Sequence, residues 1–324
     1  MSSITIQPER AYEGKLRPLN IFRDLPLVAD LIEVCFSKTM DTEGRRYIQD
    51  MRRAGSDNSF MQWANRAVET TALPLTGFVW EEGGKVVGNV SLVPFRHGRQ
   101  KIYLIANLAT HPDFRRRGIA HALTKRAMEH AREKNINQIW LHVRDDNDAA
   151  VELYSKLGFL ERARRTSWQA STEIKTMPVK PGIRVGGRHP RLWPTQLEWL
   201  KRLYPDYLAW HRNWNFNSLR PGFWNWLYLF FIDMNVRQWA ATKNEKMEAA
   251  LAWIPYGHGE ALFAAVADES DPEALTAVLL QARRDLFHSH PNLVMEFPAG
   301  LFEDAITASG FKILRTLIWM EATA

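Results

Sequence analysis

One cysteine, Cys35, is all the chain contains. That excludes an intrachain disulfide and any cysteine-rich metal site. Long hydrophobic runs are missing too. The longest, Phe223 to Ile232, is interrupted by Asn225 and falls short of the roughly 20 apolar residues that cross a bilayer. The opening residues, MSSITIQPERAYEGK, hold no apolar stretch of the kind a secretory leader needs. Acidic residues are outnumbered, 36 against 42 lysines and arginines, which leaves a formal charge of +6 and a pI near 9.4. From these absences we expect a cytoplasmic chain that uses neither a membrane nor a metal.

What is present is enough for two domains of ordinary size, since 324 residues exceed a single hydrophobic core. Thirteen tryptophans stand out, most of them in the second half. Basic residues cluster in FRHGRQK (95–101), FRRRG (114–118) and LERARRT (160–166). Such patches suit a nucleic-acid binder. They equally suit an enzyme whose ligand carries several phosphates, because both rely on the same focused field. Composition does not separate the two.

Periodicity predicts a mixed α/β chain. Leu25, Val28, Leu31, Ile32 and Cys35 recur on one helical face. Strand runs follow at TGFVWEE (76–82), KVVGNVSLVPF (85–95) and KIYLIANLAT (101–110), the first two joined by a Gly-Gly hairpin turn. A helix starts at Gly118 with Ile119, Ala122, Leu123 and Ala127 as its apolar stripe. QIWLHV (138–143) reads as a buried strand. Beyond it a short helix is capped by Asp146 or Asn147 and stopped by Gly158. After a Pro/Gly-rich linker at 177–194, residues 182–204, 236–255, 261–286 and 303–320 repeat in order the outlines of 14–36, 76–95, 102–127 and 150–168. A tandem duplication is expected. The aromatic run 210–231 then reads most simply as core between two domains, with an aromatic lining for a substrate as the sharper alternative.

The chemistry concentrates at Arg115-Arg116-Arg117-Gly118-Ile119-Ala120, after a strand and at the start of a helix. A helix start offers unpaired N–H groups and a partial positive charge to phosphate oxygens, and glycine lets the backbone approach them. Taken alone, the same six residues also describe an exposed basic turn before a surface helix. The flanking LATHP (108–112), Asn147, Tyr154 and Gly158-Phe159 complete a pattern. Through them residues 76–160 resemble the GCN5-related N-acetyltransferase (GNAT) family, and the resemblance extends over Gly14 to about Ser171.

The resemblance implies two GNAT-like α/β domains in tandem. Residues 1–173 would be the acetyltransferase domain, and 174–324 a degenerate copy without the cofactor motif. Each would be a mostly antiparallel sheet flanked by helices, with its fourth and fifth strands splayed. The implied cofactor is acetyl-CoA. Its pantetheine would lie against the main chain of Leu108, Ala109 and Thr110, where an N–H would also polarise the thioester carbonyl. Its pyrophosphate would sit on Arg115 to Ala120, with Asn147 reaching the cofactor as well as capping a helix. Tyr154 would protonate the departing thiolate.

The implied acceptor is a small-molecule or peptide primary amine. At pH 7 a lysine-like amine is neutral in only about one part in 2,500. Many relatives keep a glutamate on the fourth strand as base, yet KIYLIANLAT contains no acid. Glu81, Glu82, Tyr103, His111 and His142 remain as candidates without a choice among them. In the second half, ADESDPEALTAV (267–278) is acidic and glycine-free where the arginine turn would stand, and Ile306 replaces the tyrosine. The other readings are a non-catalytic acyl-CoA-binding or interaction protein, a nucleic-acid binder, and an enzyme like mycothiol synthase. That last protein keeps its working domain at the other end. A monomer or a homodimer is expected.

Overall fold

The computed structural model describes residues 14–37, 40, 42–56, 76–98, 100–172, 181–211, 215–231, 234–256, 259–286, 289–290 and 292–323. The chain divides into two compact units. One comprises Met1–His142, Glu152–Leu160 and Glu321–Ala324; the other comprises Val143–Val151 and Glu161–Met320.

The first unit holds β1 (Lys15–Pro18), α1 (Ile21–Phe36), α2 (Thr42–Ser56), β2 (Thr76–Glu82), β3 (Lys85–His97), β4 (Gln100–Thr110) and α3 (Ile119–Glu133), then most of β5 (Gln138–Arg144) and the second half of α4 (Asp148–Lys156). Its strands lie in the order β1-β2-β3-β4-β5. Neighbours from β1 to β4 are antiparallel, and β4 and β5 are parallel. The Gly83-Gly84 turn joins β2 to β3 with φ of 58° and 75°, which glycine adopts without a Cβ penalty. Asn20 caps α1 by accepting from the Arg23 N–H, and Leu25, Val28, Ala29 and Ile32 bury its inner face. Asp24, in the first turn of α1, is buried. Burial alone would raise its carboxyl, but hydrogen bonds from Arg17, the Asn20 N–H and Arg23 hold it below its ordinary value. Helix α3 buries Ile119, Leu123, Ala127 and Ala131. It settles on β3 at Gly88, where a Cβ would collide with Ile119 and Leu123.

The second unit carries β6 (Leu160–Ala170), β7 (Ile183–Gly187), α5 (Trp193–Leu203), α6 (Phe223–Phe231), β8 (Arg237–Lys243), β9 (Lys246–Tyr256) and β10 (Gly259–Val266). It continues with α7 (Pro272–Leu286), β11 (Leu293–Pro298), α8 (Glu303–Ala308) and β12 (Phe311–Thr323). Its strands follow the order β12-β6-β11-β10-β9-β8-β7. Trp168, Trp253, Phe297 and Phe311 anchor its core.

The aromatic run departs from the expectation of core. Trp210, Phe216 and Leu219 are buried, but no residue of α6 is. The reading of that whole run as buried is corrected here. Aromatic density in a sequence does not reveal which side of a helix meets other chain, and α6 turns nearly all of its rings outward.

Candidate active site

The strand pair β4 and β5 forms a fork. Parallel pairing runs from Ile102 opposite Gln138 to Ile105 opposite Leu141 and stops there, although β4 continues to Thr110. Just past that point β4 carries an extra residue against β3. Asn89 faces Ala109 and Ser91 faces Ala106, so Asn107 and Leu108 together oppose Val90. Asn107 takes φ of 52°, a left-handed conformation that asparagine tolerates better than most residues. Two side chains hold it. The buried Asn89 donates from Nδ2 to the Asn107 carbonyl at 3.0 Å, and Asn107 Nδ2 donates to the Tyr47 hydroxyl at 2.7 Å. Burial pushes that phenol up to about 12, against a smaller opposing effect of Asn107. Tyr47 and Asn107 escape a reading of the sequence, although an asparagine inside an apolar strand marks a bulge.

Leu108 and Thr110 are half-buried and Ala109 is buried. The Thr110 carbonyl accepts from Cys35 Sγ at 3.3 Å and from Arg115 Nε at 3.3 Å. Burial raises the Cys35 thiol, opposed by the hydrogen bond of Arg115. The Thr110 hydroxyl oxygen is buried with no hydrogen-bond partner among the described residues. At the bulge end of the fork the strand thus offers an unmet polar atom.

Beyond a 3₁₀ turn at Pro112–Phe114 the chain reverses through Arg116 with φ of 63° and Gly118 with φ of 75°. No side chain caps α3, and a Cβ built on Gly118 would meet nothing within 4 Å. Without a side-chain cap, the first-turn N–H groups make the kind of helix start that binds anions. The three arginines separate. Arg115 and Arg116 are exposed, whereas Arg117 Nη1 pairs with Glu82 Oε1 at 2.9 Å and its guanidinium lies 4.9 Å from the Phe114 ring centre. Ile119 is buried, so its N–H is what it can offer, and Ala120 is half-buried.

Asn147 caps α4, with Oδ1 accepting from the Ala150 N–H at 3.3 Å. Two turns on, Tyr154 is 7% exposed and meets Phe159 edge-on at 5.8 Å. Burial drives its hydroxyl far above the ordinary phenol value, so it stays protonated across the physiological range.

Among the candidate bases, Glu81 accepts from both Arg17 and Arg23 at 2.7 Å, and its carboxyl is held below its ordinary value chiefly by the Arg17 hydrogen bond. Glu82 is engaged by Arg117. Tyr103 is buried, which raises its hydroxyl, and its ring stacks on His130. His111 accepts from the Asp113 N–H to cap the 3₁₀ turn. His142 follows Leu141, the last β5 residue paired with β4, and so stands where the fork opens. A groove of about 340 Å³ lies elsewhere, on the outer face of α3, lined by His121, Lys125, Arg132 and Lys156 among others.

The second unit repeats the fork without the cradle. Strands β10 and β11 pair in parallel from Glu260 opposite Leu293 to Leu262 opposite Met295, and β10 runs on to Val266. Its register with β9 is unbroken, so it has no bulge. The start of α7 is closed, because Asp271 Oδ1 already accepts from the Glu273 N–H at 3.1 Å. Ile306 is buried on α8. Among the described residues no cluster could hold a metal ion, and no helix is long and apolar enough to cross a membrane.

A bulged strand, a forked parallel pair and an open helix start after the bulge define an acetyltransferase-type α/β domain. Residues 36–159 match the family described as Acetyltransferase (GNAT) family, and the chain carries a domain of that family there. Over 67 residues it is 34% identical to the [Ribosomal protein bS18]-alanine N-acetyltransferase of Escherichia coli (strain K12), covering 21% of this chain and 45% of that one. Over 76 residues it is 34% identical to the mycothiol acetyltransferase of Geodermatophilus obscurus, covering 24% of this chain and 25% of that one. The aligned part thus spans less than half the length of either relative. A solved GCN5-related N-acetyltransferase from Sphaerobacter thermophilus superposes over 96% of this chain and 95% of its own, with a TM-score of 0.53 and 13% identity. That likeness concerns the fold.

Proposed function

We propose that the chain is an acetyl-CoA-dependent N-acetyltransferase that moves an acetyl group directly to a primary amine. Its working site lies in the first of two tandem GNAT-like domains, and the second is a degenerate copy. The observation that carries the reading is the uncapped start of α3, open above Gly118, directly after a bulged strand that has stopped pairing with its neighbour.

Acetyl-CoA fits these residues and supplies the acetyl group as a thioester. The N–H groups of Arg117 to Ala120 would hold its pyrophosphate, with Arg115 and Arg116 adding charge. The main chain of Leu108, Ala109 and Thr110 would take the pantetheine as an added strand. Asn147 orients the α4 start. Tyr154 keeps its proton and presents a hydroxyl to the thiolate. His142, at the opening of the fork, is the group we assign to receive the amine proton, directly or through water.

Titration calorimetry with acetyl-CoA, followed by thiol release across amino acids, polyamines, aminosugars and peptide N-termini, tests the reading. Micromolar binding and transfer to at least one amine are expected. Absence of binding at millimolar acetyl-CoA would overturn it. Binding without transfer to any amine would favour a non-catalytic acyl-CoA-binding protein instead.

A further inference from the structure

The helix α6 is nine residues long and bears no charge. At 100° per residue, Asn225 and Leu229 fall on one side. Asn225 Nδ2 donates to the carbonyls of Ser218 at 2.9 Å and Arg220 at 2.8 Å, and Leu229 is half-buried. That side ties the helix to its own unit. Round the remaining arc of about 200°, on either side of a half-buried Leu227, come the rings of Trp226, Phe230, Phe223, Phe231, Trp224 and Tyr228. They are between 57% and 79% exposed. Single exposed aromatics are ordinary; six on one helix are not. The rings also touch one another, with Trp226 and Phe230 stacked at 5.8 Å and Phe223 tilted against Trp226 at 5.9 Å.

We infer that this ridge pairs the chain with a second copy of itself. At about 150–250 Å² per aromatic side chain and two-thirds exposure, the ridge presents roughly 600–1,000 Å². A specific dimer buries about 800 Å² on each partner. The composition agrees as well, since interface cores are poor in charge and rich in Trp, Tyr and Phe. A helix that lies on a lipid surface carries lysine and arginine along its polar face, and α6 has neither. A two-fold axis would set the ridge against its own copy, and its mutual ring contacts lower the ordering cost of pairing. The inference is independent of the acetyltransferase reading.

Sedimentation velocity on the full chain over a concentration series tests it. The expected species has twice the 37.5 kDa chain mass. The double variant Trp226→Glu/Phe230→Glu should weaken pairing at least about 100-fold, with an unchanged circular dichroism spectrum. Trp224→Glu, at the other end of the arc, provides a second variant should the first misfold. A wild-type chain of single mass up to roughly 100 µM would overturn the proposal. So would dimers undiminished in both variants, or single-mass protein that co-sediments with phosphatidylserine vesicles.

Discussion

Tyr154 is held in a way that narrows what its hydroxyl can do. A thiol has a pKa of about 8.5, and the buried phenol sits far above its own ordinary value. On the proposed reading, full proton transfer to the departing sulfur is therefore uphill, and the hydroxyl would serve first as a hydrogen-bond donor to developing negative charge. Removing it should cost turnover and leave cofactor binding alone. Tyr154→Phe keeps the ring and its edge-on contact with Phe159, so we expect kcat to fall about 100-fold with acetyl-CoA affinity changed less than about twofold. Thiol-release kinetics with the best amine, set beside calorimetry, measure both; an unchanged kcat would remove Tyr154 from the chemistry. The sequence pointed to this residue because its cues are local, a cap, a tyrosine and a Gly-Phe stop within twelve residues of one another. The Tyr47–Asn107 hydrogen bond gave no such cue, because it links positions 60 apart, one on α2 and one on β4.

At the scale of elements, the start of α3 separates charge from conformation. Gly118 has φ of 75° and open space where a Cβ would go. A larger residue there meets no clash, but it carries the backbone cost of a left-handed position, about 1–2 kcal/mol. Gly118→Asn should bear that cost most lightly and keep acetyl-CoA binding within about tenfold. Gly118→Glu adds a carboxylate where phosphate would sit and should weaken binding at least about 100-fold at a similar melting temperature. Equal losses in both variants would mean that backbone shape, not an anion site, is what the glycine provides. The arginine triplet was legible as a unit but not in its parts. Arg117 is taken up by Glu82, 35 residues away across the hairpin, which spacing cannot foretell. The same blindness to tertiary placement made α6 read as core, since hydrophobicity reports a preference for burial and not its fulfilment.

At the scale of the whole molecule, the two units differ in the feature on which the proposed acetyl-CoA site rests. Both have a parallel fork, of four paired residues in β4–β5 and three in β10–β11. In one, a bulged strand leads to an uncapped helix; in the other, an unbulged strand leads to a helix whose first-turn N–H is held by Asp271, with Lys243 on that carboxylate at 2.8 Å. A pyrophosphate approaching α7 would have to displace an acid already making those bonds, at the cost of like-charge repulsion. Acetyl-CoA should therefore bind once per chain, and Gly118→Glu should bring the stoichiometry towards zero, not to one half. Linkage gives an independent measure of the same asymmetry. At about 100 times Kd, one bound ligand stabilises the folded chain by about 2.7 kcal/mol, and two independent ones would double that. Calorimetric stoichiometry and scanning calorimetry on one preparation check both. Two equivalent sites per chain would mean that the capped start of α7 opens in solution, and the degenerate reading of the second domain would fall with it.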